Sequence, residues 1–229
     1  MSAVAGASRD FGTGPLARAC ALVYNLLVVE LLFLLTAVPG LVALVLLDRD
    51  ASNAPLVAAC AVPLGPAFSA ALYALHHRSH DLTDLAPGRA FWRGYRSNAR
   101  PVLKLWLPWL AWLTIVAVNL AHFAAAGVPA WWGVLLVLVA LVVTLGVANA
   151  LVITSLFEFR TTDVARLALY FLVHRRGATI ANLCLLVVAA GITLLSSEAV
   201  LALLGSVLAV GLLANSRSMV AIIRDQFTA

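Results

Sequence analysis

The chain has 229 residues, of which 63% are hydrophobic and only 11% are charged, and its mean hydropathy is +1.02. A soluble domain cannot keep so much apolar surface out of water, so the composition indicates a protein that uses lipid as its solvent. The net charge of +5 lies in the segments between apolar stretches. This pattern is typical of a membrane topology and argues against a nucleic acid partner.

Six stretches approach or exceed the roughly 20 apolar residues that cross a hydrocarbon core of about 30 Å. The predicted fold is all-α: one polytopic membrane domain, residues 1–229, with six transmembrane helices and two amphipathic interfacial helices on the cytoplasmic side. Residues 1–15 are predicted to be a disordered tail. Only three residues separate the last two spans, so five spans, with these two merged or one re-entrant, are an open alternative. The predicted spans are approximately 19–47, 55–75, 102–123, 133–157, 178–195 and 199–223.

Of the 15 Lys and Arg residues, all but Arg49 lie on one side of this topology. Because basic loops stay in the cytoplasm, the pattern predicts that both termini and both long loops are cytoplasmic. Such loops contact anionic lipid headgroups, which are the expected partner of this face. The first apolar stretch is too long for a cleaved signal peptide, so we expect it to stay as a span. Cys20, Cys60 and Cys184 show no paired spacing and predict no disulfide.

The first long loop has the pattern of an amphipathic helix. Four arginines recur at helical spacing, while two aromatic residues fall on roughly the opposite face. We expect this helix to lie in the headgroup plane, with its aromatic side chains toward lipid, and to end or kink at Pro101 before the third span. The candidate lipid or partner contacts are Arg89, Arg93, Arg96, Arg100, Phe91 and Tyr95.

The second long loop also carries helix signals. Thr161 or Thr162 is the predicted N-cap, Arg175 and Arg176 lie in the predicted last turn, and Gly177 follows as a stop signal. The predicted buried face consists of Val164, Leu167, Ala168, Phe171 and Leu172.

Three segments carry a resemblance to a known family: ELLFLLTAVPG (residues 30–40), GPAFSAALYAL (residues 65–75) and AFWRGYRSN (residues 90–98). They resemble the YesL family of bacterial integral membrane proteins, a domain of unknown function often encoded beside genes for carbohydrate uptake and glycosidases. The resemblance implies a multi-pass protein of the bacterial inner membrane, connected with an ABC-type sugar importer, and supplies no catalytic residues. Glu30 is a departure, since the family commonly has Asn there, and the segment around residues 48–50 is longer.

Glu30 is the most unusual polar residue, because it falls near the middle of the first predicted span. An acid at that depth costs roughly 3 kcal/mol on the insertion scale, which the apolar remainder of the span offsets. Its neighbours on the same helix face cannot form a side-chain hydrogen bond with it. On the fourth predicted span, Thr144 and Asn149 lie at a depth similar to that of Glu30, so we expect one of them to be its hydrogen-bond partner.

Four asparagines fall in the cytoplasmic halves of their spans: Asn25, Asn149, Asn182 and Asn215. Two hypotheses stay open for them. They form hydrogen bonds that hold the helices together, at about 0.6 kcal/mol per contact, or they line a solute or proton site with Glu30.

A histidine cluster lies where the second span ends. At helical spacing His76 approaches His80, and such a pair binds metal in some proteins. The same residues commonly mark the headgroup boundary, so we predict no metal site and no cofactor, with His76 and His80 as the lesser candidates.

These features predict a non-enzymatic accessory or regulatory membrane protein, and the resemblance to the YesL family implies that it is associated with carbohydrate uptake. The alternative is a small solute permease or channel with a path near Glu30 and the intramembrane asparagines. A membrane enzyme that uses residues 76–84 ranks third. The sequence gives no indication of oligomeric state.

Overall fold

The computed structural model describes residues 15–48, 50–78 and 86–227. Over these ranges the chain is all-helical, with no strand. Arg9, Arg49, His80 and most of the predicted tail, residues 1–14, lie outside them. A short 3-10 turn, Ala51–Asn53, precedes α2. The helices are α1 (Pro15–Leu46), α2 (Ala54–Cys60), α3 (Leu64–His76), α4 (Pro87–Ala121), α5 (Ala130–Leu156), α6 (Thr161–His174), α7 (Arg176–Leu195), α8 (Glu198–Ala202), α9 (Gly205–Asn215) and α10 (Arg217–Phe227).

Four of these helices, α1, α4, α5 and α7, are long and apolar enough to cross a membrane. Two bent segments also qualify if each is counted as one span. One joins the 3-10 turn and α2 to α3 with a bend of 42°, and the other joins α9 to α10 with a bend of 56°. The chain is therefore a multi-pass membrane protein with four to six candidate spans in the described ranges.

Helix α4 differs from the prediction. It runs without interruption through Pro101 and Pro108 for 35 residues, or about 52 Å at 1.5 Å per residue. The predicted end of the helix at Pro101 is wrong, because packing against neighbouring helices tolerates a proline inside a membrane helix. The basic segment and the third predicted span are one helix, longer than the roughly 30 Å hydrocarbon core.

Small residues bring α3 and α4 into close contact. A Cβ atom added at Gly65 would lie 2.6 Å from the Trp106 ring, and one added at Gly94 would lie 2.7 Å from the Tyr73 side chain. Ala67 and Ser69 are fully buried on α3. The pairing depends on glycines on both helices, as membrane helices generally do where their backbones approach closely.

Helix α6 confirms the predicted amphipathic face. Val164, Ala168 and Phe171 are buried against the core, and Leu167 and Leu172 are half-buried. The predicted stop at Gly177 is wrong, because the chain turns at Arg175 and Gly177 already lies in the first turn of α7. The two helices are thus joined by a single residue.

The core lies where α1, α3, α4 and α5 meet, around Phe33, Leu72, Phe91 and Ile153. Large apolar side chains on the outer faces, such as Leu31 on α1, are exposed in the absence of a bilayer. An exposed apolar exterior around a packed interior is expected of a bundle surrounded by lipid.

Asp50 stabilises the turn that follows α1. Its carboxylate accepts a hydrogen bond from the Ser52 backbone N–H at 2.8 Å. This bond lowers the pKa of Asp50 below its ordinary value.

Candidate functional site

Glu30 forms a hydrogen bond with the backbone of a distant helix. Its Oε2 atom accepts from the N–H of Ser206 at 2.6 Å. Ser206 is the second residue of α9. A two-residue turn separates α9 from α8. The first N–H groups of a helix have no partner within it and carry the positive end of the helix dipole, so a carboxylate is a favourable cap there.

The same contact fixes the position of α9 against α1. A Cβ atom added at Gly205 would lie 2.6 Å from the ring of Phe33, which is one turn beyond Glu30. The second carboxylate oxygen of Glu30, Oε1, is buried and has no hydrogen-bond partner among the described residues. Glu30 therefore holds the start of a helix inside the predicted sixth span.

The predicted partners of Glu30 are wrong. The Thr144 hydroxyl donates to the Ala140 carbonyl of its own helix at 2.7 Å. Asn149 is engaged with α6 and α7. Residue types in the sequence indicate side-chain partners only, whereas the true partner is a backbone N–H. A break in the helix frees this N–H, and Gly205 is its only signal in the sequence.

We predict that Glu30→Ala lowers the free energy of unfolding by about 1–3 kcal/mol, because the Ser206 N–H at the start of α9 loses its acceptor. Glu30→Gln should lose less than half as much, since its amide oxygen still accepts from Ser206. The measurement is denaturant unfolding in mixed micelles. The control is Glu158→Ala, at an exposed position between α5 and α6, and a Glu30→Ala protein as stable as that control would contradict the capping role.

Three asparagines form a chain of hydrogen bonds across the bundle. Asn215 donates to the Asn182 side-chain oxygen at 3.0 Å, and Asn182 donates to the Asn149 side-chain oxygen at 3.2 Å. Asn149 in turn approaches the Ala168 carbonyl at 3.5 Å. The chain joins α9, α7, α5 and α6, and it ends at the bend between α9 and α10.

Asn25 is separate from this chain. It is 2% exposed, and its amide donates to the Ala21 carbonyl on its own helix at 2.8 Å. The four asparagines predicted to share a cavity therefore divide into a chain of three and one residue on α1. The three hydrogen-bonded asparagines use one another's side-chain groups, which a solute would need for binding. Asn25 instead lines a pocket described below.

We predict that Asn182→Ala destabilises the protein by about 1–2 kcal/mol, because the Asn215 amide loses its acceptor and the Asn149 side-chain oxygen loses its donor. Adding Asn215→Ala should cost little more, since the shared hydrogen bond is already lost. The measurement is a double-mutant cycle of unfolding free energies. Asn119→Ala is the control, because the Asn119 amide is exposed and donates only within its own helix. Purely additive losses would contradict the chain.

A second polar contact, missed by sequence reasoning, joins α3, α4 and α5. The hydroxyls of Ser69 and Ser155 lie 2.7 Å apart, and the Asn98 amide donates to the Ser155 carbonyl at 3.1 Å. All three residues are buried. The signal available in the sequence was the small polar residue on each helix, which is common where membrane helices pack closely.

The break between α2 and α3 is also stabilised by a side chain. The indole N–H of Trp106 donates to the Ala61 carbonyl at 3.0 Å. Ala61 is the first residue beyond α2, where carbonyl groups lack partners within the helix. Trp106 thus contributes to packing and to hydrogen bonding at this bend.

Beside Trp106 lies an apolar cavity of about 420 Å³ between the two helix breaks. Leu64 and Gly205, the first residues of α3 and α9, line it together with Trp109 and Thr144. Its walls are almost wholly apolar, so it offers few groups for recognising a polar solute.

The arginines at the start of α4 lie where the sequence predicted, but their aromatic neighbours do not. Arg89, Arg93, Arg96 and Arg100 are all exposed. Phe91 is fully buried in the core, and Tyr95 packs against it. The predicted contact of Phe91 with lipid is wrong, because that face of α4 is covered by protein.

The histidine cluster is only partly described. The Nε2 atom of His76 lies 3.3 Å from a guanidinium nitrogen of Arg224 on α10, so it acts as the acceptor. That pairing occupies the ring nitrogen and places a cation beside it, which disfavours a metal there. Over residues 15–48, 50–78 and 86–227, no group of three or more His, Cys, Asp or Glu side chains is arranged to hold a metal ion. His80 lies outside these ranges.

A basic pocket lies between the last turn of α3 and the first two turns of α4. Its volume is about 290 Å³. Asn25 lies among its lining residues, and Arg78 adds a cation that the sequence pattern on α4 did not include. The lining residues are Asn25, Tyr73, Ala74, His77, Arg78, Ala86, Pro87, Arg89, Ala90 and Arg93.

Comparison with known proteins adds no relative. No protein-family model matches the chain, and no curated protein and no solved structure matches it either. The resemblance to the YesL family stays a prediction.

Proposed function

We propose that this chain is a non-enzymatic accessory or regulatory protein of the bacterial inner membrane, which binds a carbohydrate importer through its basic face. The observation that carries the proposal is the start of α4. There, four exposed arginines stand on a helix that continues directly into a membrane span.

The continuity of α4 favours a regulatory contact. Since the helix is longer than the hydrocarbon core, its first turns extend beyond the membrane while later turns pack within it. A partner bound to Arg96 or Arg100 would thus act on a rigid element that is packed along α3. An isolated interfacial helix would not transmit such a contact to the bundle.

The proposed topology has six spans with both termini in the cytoplasm. It counts each bent segment as one span and places α6 at the cytoplasmic face. The positive-inside pattern supports this orientation, because Arg78, the start of α4 and the residues around α6 then share one side. The sugar importer comes from the resemblance to the YesL family, and anionic lipid headgroups are the proposed second partner.

The alternative, a small permease, finds less support in the side chains. Asn149, Asn182 and Asn215 bind one another, and Glu30 binds the backbone of α9. A solute would have to compete with these internal hydrogen bonds. The unpartnered Oε1 atom of Glu30 is the observation that favours a proton or solute site.

We predict that the tagged protein, purified from native membranes in mild detergent, recovers the subunits of an ATP-binding-cassette sugar importer. Replacing Arg89, Arg93, Arg96 and Arg100 with Gln should reduce that recovery about 10-fold, because the cations that meet an acidic partner surface are gone. Quantitative mass spectrometry of the purified complexes is the measurement.

The matched control removes the same charge around α6. Arg160, Arg166, Arg175 and Arg176 are all exposed, and their replacement with Gln should leave recovery nearly unchanged. An equal loss in both variants would mean that total charge matters and the α4 surface does not. Recovery of no stable partner by the unmodified protein would overturn the accessory role.

A further inference from the structure

The basic pocket between α3 and α4 concentrates positive charge in a concave space. Arg78, Arg89 and Arg93 all line it. Among the described residues, none of these guanidinium groups forms a hydrogen bond or an ion pair with an acidic side chain. As far as the described residues go, these cations have no acidic partner and repel one another, so an anion that enters the pocket relieves that repulsion.

Its other polar groups suit the same kind of ligand. Tyr73, whose hydroxyl is a hydrogen-bond donor, is also a lining residue, and its ring lies 4.2 Å from that of His77 between centroids, tilted by 32°. Asn25, almost fully buried, places a polar side chain in the lining, with its amide held by Ala21. The pocket thus has two neutral polar residues, Asn25 and Tyr73, in addition to its three arginines.

The start of α4 also favours an anionic ligand. Its N-cap, Ala86, provides no side-chain acceptor for the first N–H groups of the helix. Ala86, Pro87 and Arg89 line the pocket, so the positive end of a 35-residue helix lies at its edge. This field adds to the charge of the arginine side chains.

The donor set favours a phosphate group over a carboxylate. A guanidinium group forms two parallel hydrogen bonds with a carboxylate or a phosphate alike, but three guanidinium groups can surround a tetrahedral anion that carries up to two charges. At about 290 Å³ the pocket is near the lower end of the range for small-molecule sites. At this volume it accommodates a phosphate with a small substituent.

We propose that this pocket is a binding site for a phosphate group, carried by a phospholipid headgroup or by a small soluble phosphate ester, on residues Arg78, Arg89, Arg93 and Tyr73. The two sources share the same chemistry and differ in how the ligand arrives. A site of this kind would give the protein sensitivity to one anion, independently of any importer subunit.

Two probes separate the sources. Inorganic phosphate is titrated calorimetrically into the full-length protein in nanodiscs of phosphatidylcholine, and saturable binding would identify a soluble ligand. In parallel, the protein is reconstituted in nanodiscs of phosphatidylcholine mixed with phosphatidylglycerol. Native mass spectrometry then counts the phosphatidylglycerol molecules retained, and selective retention without phosphate binding would identify the headgroup.

The variants test the pocket itself. Arg89→Gln with Arg93→Gln should weaken binding of the effective probe about 10-fold or more, because two charge-assisted contacts are lost. Arg160→Gln with Arg176→Gln removes the same charge around α6, outside the pocket lining, and should change binding less than about twofold. Tyr73→Phe should give an intermediate loss.

Two outcomes would overturn the proposal. Equal weakening by the two double variants would show a diffuse attraction to basic residues in place of a site. Failure of the unmodified protein to bind either probe would exclude phosphate as the ligand. Both experiments use purified protein without a partner, so they can fail while the importer association holds, and the reverse.

Discussion

The structure depends on one constraint: within a bilayer, backbone and side-chain polar groups must find their partners inside the protein. Two of the candidate spans are interrupted, and each interruption frees backbone groups that water would satisfy in a soluble protein. Trp106 donates to the Ala61 carbonyl at one break, and Glu30 accepts from the Ser206 N–H at the other. An ionisable residue deep in the first span is therefore explained by the geometry of the last one.

The same constraint accounts for the asparagine chain and for the contact of Ser69 with Ser155. Each hydrogen bond is weak by itself, at about 0.6 kcal/mol on average in membrane proteins. These bonds set the register of the helices, because α5, α7 and α9 must be aligned for Asn149, Asn182 and Asn215 to form them. With these groups engaged internally, the polar surface open to partners lies mainly at the basic end of the bundle, around α6 and the start of α4.

Periodicity predicted what depends on one helix at a time. It placed Val164, Ala168 and Phe171 on a buried face and the arginines of α4 on an exposed one. It failed where the outcome depends on whether a helix face contacts protein or lipid. Phe91 contacts protein where lipid was expected, and the helix continues past Pro101 because packing against α3 outweighs the local preference.

The candidate site shows the same division. Depth alone grouped three asparagines correctly, since residues at one level of adjacent spans can meet. It could not separate Asn25, whose amide donates to the Ala21 carbonyl within α1. The partner of Glu30 was beyond side-chain patterns, because a backbone N–H leaves no residue-type signal. The basic pocket required Arg78 and the start of α4 to be adjacent in space.

Solute flux through proteoliposomes containing only this protein tests most directly whether its intramembrane polar groups are structural. If the hydrogen bonds of Glu30 and Asn182 serve assembly, uptake of labelled monosaccharides should equal that of protein-free liposomes. Saturable uptake that is lost in a folded Asn182→Ala protein would contradict this and would identify the asparagine chain as part of a transport path.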